Sequence, residues 1–368
     1  MVPLPFIDCT ISISLKLTQS IIIEKLTALQ INMNLLPELF VDMIYFLSVD
    51  DLVKFRLVAK DPCEYVKEYV GIEAYRIYPN HLHGLFQCFP RIKHLNLEKC
   101  ETRVNDFKKF ENLESLVTSV RPLGTSGVFH SCPRLKWLRL IRDPFDLDLD
   151  LDLDLVFQGL THLKYLSIVN VSGITDHALL YLPQLEELNL SDRCGIGSYG
   201  LRSLTRLKKL TIDTPLNSNA SQIRDDAFEG CGLLQLALFN NMTITDQGIL
   251  HLKQLKRLFC VRCPLIQGVG FSSLNQLKNV GMGEANVDVS RFSNVKVLSF
   301  RDSTIQGTFD GVWNHLEKLR FYSSTFDFPA SIPTMKAPRL KQLRYEKCGQ
   351  INKETILKVF GNRIQCLD

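Results

Sequence analysis

One short phrase returns twelve times between Ile92 and Tyr345 and constrains the fold more than any other feature: an aliphatic residue, two variable residues, a second aliphatic, one variable residue and a third apolar residue. In the first half its anchors are Ile92/Leu95/Leu97, Leu113/Leu116, Leu135/Leu138/Leu140, Leu163/Leu166/Ile168, Leu185/Leu188/Leu190 and Leu207/Leu210/Ile212. The second half carries Leu233/Leu236/Leu238, Leu255/Leu258/Cys260, Leu277/Val280/Met282, Val295/Leu298/Phe300, Leu316/Leu319/Phe321 and Leu340/Leu343/Tyr345. Successive first anchors stand 18 to 28 residues apart. The last three positions alternate, which predicts a short strand with aliphatic side chains on one side and variable ones on the other. One such strand cannot bury its own apolar face. Twelve stacked side by side make a continuous core, each buried anchor contributing roughly 1.5 to 3 kcal/mol. The expectation is an open α/β solenoid.

Three residues after the last anchor a small polar or thiol residue recurs, at Cys100, Asn241, Cys263, Ser303 and Cys348, with Cys194 one place late. Such side chains fill a narrow turn and bond backbone groups that a curved ladder leaves unpaired. A second phrase follows: Ile174/Ala178/Leu179, Ile196/Gly200/Leu201, Ile223/Ala227/Phe228, Ile244/Gly248/Ile249, Ile266/Gly270/Phe271 and Ile351/Thr355/Ile356. Its i, i+4, i+5 spacing predicts a short helix. Thr175 before Asp176, and Thr245 before Asp246, read as N-caps with an acidic first turn.

The chain has 368 residues, 45% of them hydrophobic, with a net charge of +4. That is enough for a large core and a small second domain, and too little charge to imply nucleic acid. Eleven cysteines, several at repeat positions, argue for a reducing compartment, and a cytoplasmic or nuclear protein is expected. No stretch of 18 apolar residues occurs and residues 1–19 lack a signal pattern, so no membrane partner is expected. Cys260 and Cys263 invite a metal reading, but no second ligand pair lies nearby and both fall on repeat positions. His81 and His83 likewise lack partner ligands. No nucleotide loop or catalytic constellation is present; neither enzyme activity nor a cofactor is expected.

Residues 1–33 have no evident packing partner and are expected to form a flexible leader. From Leu36 the apolar residues Leu36, Leu39, Phe40, Met43, Ile44 and Leu47 follow helical spacing. Ser48-Val49-Asp50-Asp51 then opens a second helix that carries Leu52, Val53, Phe55, Leu57 and Val58 and stops before Asp61-Pro62. A unit of about 40 residues cannot bury apolar surface on both sides of its helices alone, so part of it should dock on something else.

The segments Leu36-Pro37-Glu38-Leu39, Met43-Ile44, Leu47, Asp51-Leu52 and Arg56-Leu57-Val58-Ala59-Lys60 resemble an F-box. The repeats that follow have the period of leucine-rich repeats of the cysteine type. Together, about 330 of the 368 residues resemble the F-box/leucine-rich-repeat family. This chain departs from the family in having Ala59-Lys60-Asp61-Pro62 where Cys-Lys-x-Trp is usual. The resemblance implies a leucine-rich-repeat solenoid, a curved parallel sheet with helices outside, preceded by a small all-α module. Its boundaries would be a leader at 1–33, the F-box-like module at 34–75, a linker at 76–90 and the solenoid at 91–368, with an Asp/Leu insertion at 143–155. It also implies a ubiquitin-ligase adaptor. Leu36, Pro37, Ile44, Leu47, Leu52, Leu57 and Val58 would contact a Skp-type subunit, and through it a cullin and a RING subunit, while the repeats hold the protein to be modified.

The variable strand positions are candidates for that contact. Arg257, Arg301, Lys318, Arg320 and Arg344 could form a basic lane with Phe239, Phe259 and Tyr322 beside it, suited to an acidic or phosphorylated substrate protein. The same residues also fit an ordinary solvated face. The aspartates from Asp146 onward alternate with leucine and would repel along one strand face, so a solvated loop is expected there rather than a calcium site. A repeat scaffold without ligase association is the competing reading, its N-terminal helices capping the first repeat. A GTPase-activating role has the least support. Ile364 to Leu367 reads as the start of a thirteenth strand.

Overall fold

The computed structural model describes residues 71–73, 93–97, 111–119, 128–142, 153–191, 194–214, 222–307, 309, 311–326, 335–348 and 365–367. The expected leader, the helical module up to residue 70, the linker and most of the Asp/Leu insertion lie outside the described residues. Strand follows strand as the phrase predicts: β1 (Gly71–Glu73), β2 (His94–Leu97), β3 (Ser115–Ser119), β4 (Trp137–Ile141), β5 (Tyr165–Val169), β6 (Glu187–Ser191), β7 (Lys209–Asp213) and β8 (Gln235–Phe239). The series continues with β9 (Arg257–Val261), β10 (Asn279–Gly283), β11 (Asn286–Asp288), β12 (Val297–Arg301), β13 (Thr304–Gln306), β14 (Gly311–Val312) and β15 (Lys318–Tyr322). It closes with β16 (Thr325–Phe326), β17 (Met335–Lys336), β18 (Gln342–Glu346) and β19 (Gln365–Leu367).

Fourteen of these strands form one sheet in the order β1 to β10, β12, β15, β18, β19, and every pairing is parallel. β1 pairs with β2 and so begins the sheet within the segment expected to be helical. β19 falls on the expected thirteenth strand. Register is uniform: Leu138 lies beside Leu166, Leu166 beside Leu188, Leu188 beside Leu210 and Leu210 beside Leu236. The third anchors stack likewise, from Leu140 through Ile168, Leu190 and Ile212 to Leu238 and Cys260. Thr118 holds the third-anchor place on β3, fully buried, with its hydroxyl donated to the Ser119 carbonyl. Toward β15 the anchors become aromatic. Phe300 stacks on Phe321 at 5.8 Å, and Phe309, Trp313 and Phe326 surround them.

Two backbone devices repeat at the strand ends. Before each strand of the main sheet from β3 to β18, two successive amides share one carbonyl of the preceding repeat, as Glu186 and Glu187 do with Lys164 O, both at 2.9 Å. After the strand comes a non-glycine residue in the left-handed region: Asn170, Asn240, Arg262, Glu284, Asp302, Ser323 and Lys347. Their amides mostly reach the last strand residue of the next repeat, for example Asn240 N–H to Val261 O at 2.9 Å and Asp302 N–H to Tyr322 O at 2.8 Å. The bend is therefore held by inter-repeat hydrogen bonds that offset a conformation L residues otherwise avoid. The small turn residues sit one place further on. Asn241 Oδ1 accepts from Ile244 N–H at 2.8 Å, and the Ser303 hydroxyl donates to Arg301 O at 2.8 Å.

The other side of the solenoid changes character along the chain. Three short helices, α1 (Asp176–Leu179), α2 (Ser198–Ser203) and α3 (Asp246–His251), and 3-10 turns at Asp154–Phe157, Asp225–Phe228 and Phe271–Ser273 cover the middle repeats. The phrases Ile223/Ala227/Phe228 and Ile266/Gly270/Phe271 thus close as 3-10 turns rather than α-helices. Further on, β11, β13 and β16 form a second parallel sheet. These repeats include the shortest spacing, Leu277 to Val295. An extended strand covers about 3.3 Å per residue against 1.5 Å in a helix, so it crosses the back of a short repeat with fewer residues. The end of the Asp/Leu run also departs from expectation: Leu153 is buried and Asp154 opens a 3-10 turn of the repeat itself.

The acidic first turns do more than favour the helix dipole. Asp154 accepts from the amide and hydroxyl of Thr175 in the next repeat, at 2.6 and 2.5 Å, and Asp225 does the same for Thr245 at 2.8 and 2.6 Å. Asp246, almost wholly buried, accepts from three successive amides, Gln267, Gly268 and Val269, at 2.9 to 3.0 Å. Each carboxylate therefore ties one repeat to the next. It also explains the small residue in the second phrase: a Cβ at Gly248 would run into the Asp225 carboxylate and lie 3.0 Å from its Cα. Gly248→Ala is expected to destabilise the solenoid by roughly 1 to 3 kcal/mol in urea unfolding. Gly232→Ala, where a Cβ meets nothing within 4 Å, should leave the midpoint nearly unchanged.

Candidate binding face

Because the anchors point into the core with the helices, the variable strand residues form the open face of the sheet. The parallel register sets them in three columns. Phe259 in the middle column of β9 lies beside Gly281 of β10, and Ser299 of β12 beside Arg320 of β15, itself beside Arg344 of β18. In the third column Arg301 neighbours Tyr322.

The predicted basic lane divides into two groups. On β12, β15 and β18 the guanidinium carbons of Arg301 and Arg344 stand 5.4 and 5.5 Å from the Tyr322 ring centroid, one on each neighbouring strand. Arg320 donates to Gln342 Oε1 at 3.3 Å, and Lys318 begins the same strand. Arg344 Nε is buried without a hydrogen-bond partner among the described residues. Cation–π contact stabilises such a guanidinium only in part, so this group favours an incoming anion. The second group stands on β8 and β9, where Phe239 and Phe259 meet at 5.6 Å. Phe259 remains 44% exposed with its ring over Gly281, where a Cβ would collide with it. β10, with only Asn279, Gly281 and Gly283 on this face, separates Arg257 and Phe259 from the cationic group. The two glycines had no role in the sequence reading; their alternation with the anchors Val280 and Met282 was the available signal.

On the flank beside the strands, lysine and glutamate interleave between repeats. Lys208 and Lys164 hold the Glu186 carboxyl below its ordinary range, as Lys341 and Lys296 do for Glu317. A cavity of about 720 Å³ opens where β9, β10 and β12 end, among Arg262, Gln267, Glu284, Asn286 and Asp302. An Arg262–Glu284 ion pair occupies its edge. Cys260 is a core anchor whose thiol burial pushes far up, and Cys263 fills its turn with Sγ 3.4 Å from Val261 O. Among the described residues no helix is long and apolar enough to cross a membrane. The residues Leu36, Pro37, Ile44, Leu47, Leu52, Leu57 and Val58 lie outside the described set.

The fold is a leucine-rich-repeat solenoid, with an open face that carries separate aromatic and cationic groups. Neither a protein-family model nor a curated protein matches the sequence. Among solved structures it is similar to TLR13 in a complex with ssRNA13, at 18% identity over 70% of this chain and 44% of that one, with a TM-score of 0.48. It is also similar to an internalin of Listeria monocytogenes, at 14% identity over 87% and 93% of the two chains and a TM-score of 0.46. A third similarity is to mouse RP105 in its complex with MD-1, at 17% identity over 76% and 47% and a TM-score of 0.48. The chain spans less than half the length of the TLR13 and RP105 chains.

The division between face and core has a direct thermodynamic signature. Phe321→Ala, which empties the buried aromatic cluster, should cost about 3 to 5 kcal/mol in chemical denaturation. Phe259→Ala on the open face should cost a small fraction of that.

Proposed function

We propose that this protein is a non-catalytic substrate-recognition adaptor. The open face of its C-terminal repeats captures an acidic or phosphorylated segment of a target protein. The Leu36-Pro37-Glu38-Leu39 module docks on a Skp-type subunit and, through it, on the cullin and RING subunits of a ubiquitin ligase. Such an adaptor contributes proximity while its partners do the chemistry, and this reading places it in the cytoplasm or nucleus.

The observation that carries the binding half is the arrangement of Arg301, Arg320 and Arg344 about Tyr322, which sets three planar, permanently charged donors on adjacent strands. The only acid at the outward positions of β12, β15 and β18 is Glu346. The ligase half rests on the resemblance of residues 36–60 to an F-box. One observation favours the scaffold alternative: β1, at Gly71–Glu73, continues the sheet upstream of the first repeat phrase.

Two measurements test the two halves separately. A purified Skp-type subunit should be retained by the wild-type chain and lost by a Leu47→Asp/Leu52→Asp variant whose circular dichroism is unchanged. No retention by wild type would leave the scaffold reading. For the open face, calorimetry with the hexapeptide Glu-Ser-Phe-Ser-Glu-Glu, and with its Ser-phosphorylated form, should show binding roughly tenfold weaker in Arg320→Glu. Equal affinity for wild type and variant would sink the basic-lane assignment.

A further inference from the structure

A third group on the open face lies far from the cationic one. Trp137 on β4 stacks on Tyr165 of β5 with ring centroids 4.7 Å apart and planes 4° from parallel. Asn189 Nδ2 donates to the Tyr165 hydroxyl at 2.8 Å, which fixes the pair from the third strand. Two residues along β4 from Trp137, on the same face, stands Arg139. It is half-buried, and its Nε is buried with no hydrogen-bond partner among the described residues. Its neighbours in register are Val117 and Ser167, with Ser119, Ile141 and Val169 two residues beyond on the same face. Among the outward positions of β3, β4 and β5 it is the one charged residue.

A guanidinium cannot shed its proton, and the Nε–H of Arg139, with no partner among the described residues, is donor capacity that a shift of this half-buried side chain offers to an incoming acceptor. The apolar and aromatic surroundings raise the strength of a single ion pair and disfavour surplus charge. A doubly charged phosphate would leave one charge uncompensated beside this lone cation, whereas a carboxylate matches it. We propose that Arg139, Trp137 and Tyr165 form a second docking site on the open face, which takes an Asp or Glu side chain of an extended protein segment. Alternate residues of an extended segment stand about 6.6 Å apart on one face. An apolar side chain two residues from the acid therefore meets the Trp137–Tyr165 stack while the carboxylate meets Arg139.

This site deepens the reading of the chain as a protein-binding solenoid and rests on it. Eight strand spacings separate β4 from β15, or roughly 38 Å along the sheet at about 4.8 Å each. An extended segment that touches both sites needs at least about 11 residues. The partner that fits is thus a protein with acidic, apolar-flanked stretches at two places rather than a single short motif.

The chain has two tryptophans, and Trp313 is buried, so a ligand-induced change in emission reports on Trp137. The hexapeptide Glu-Ser-Phe-Ser-Glu-Glu spans at most about 20 Å and cannot bridge the two sites. Titrated into the full chain, it should change the emission in wild type and, with the same midpoint, in Arg320→Glu. The midpoint should rise at least about tenfold in Arg139→Gln and less in Arg139→Lys, and the Gln counterpart of the peptide should have no effect. Matching urea midpoints would establish that the variants are folded. The proposal is overturned by an absent response in wild type at millimolar peptide, an unaltered response in Arg139→Gln, or loss of the response in Arg320→Glu. Because calorimetry that compares Arg139→Gln with Arg139→Gln/Arg320→Glu reads the lane alone, the second site can fail while the basic lane stands, and the lane can fail while the Trp137 response persists.

Discussion

The in-register parallel ladder is the constraint on which both faces of this protein depend. A five-residue strand has no partner within its own repeat, so each one is stable only between neighbours that bury its anchors and accept its amides. Leu166 lies between Leu138 and Leu188, and the amides of Glu186 and Glu187 converge on Lys164 O. The same register fixes what stands beside what on the open side. Arg301 and Arg344 reach one tyrosine because β12 and β18 flank β15. A slip of one residue would exchange inward and outward side chains, and would cost the core and the binding face together.

The back of the solenoid is tied by a different chemistry. Asp154, Asp225 and Asp246 each reach forward to amides of the following repeat, and the missing side chain of Gly248 makes the approach of Asp225 possible. A polar bond thus spans each of these junctions where the helices are too short to supply much packing of their own. Farther along, the backs of the repeats pair directly as β11, β13 and β16, and backbone hydrogen bonds between strands take the place of the carboxylate ties.

The ladder itself was legible in the sequence because every anchor obeys the same spacing. Leu138, Leu166 and Leu188 announce their positions by recurrence alone, and Thr175 and Thr245 cap their helices as the Thr-Asp pairs foretell. What escaped is what recurrence does not encode. Gly200 and Gly248 read as small helix residues, and nothing in the spacing says that an aspartate from the previous repeat occupies the missing volume. Arg257 and Arg320 belong to one list of basic residues in the sequence. They part company in the sheet because β10 inserts two glycines between them. Arg139 falls on a variable strand position like many other polar residues, and only the rings and aliphatic side chains around it distinguish its setting. The turn from helices to strands on the back begins in the shortest repeat, Leu277 to Val295, but continues through repeats of 21 and 24 residues, so repeat length alone does not announce it.

The uniform strand spacing also makes the protein a ruler. Positions on the open face are separated by whole numbers of strands, so the reach between any two contacts is quantised in steps of about 4.8 Å. Duplication or loss of one repeat between β4 and β15 would lengthen or shorten that reach by a single graduation and leave the chemistry at both ends untouched. Specificity in such a chain can therefore be retuned by counting, through repeat number, as readily as by exchanging the residues that make contact.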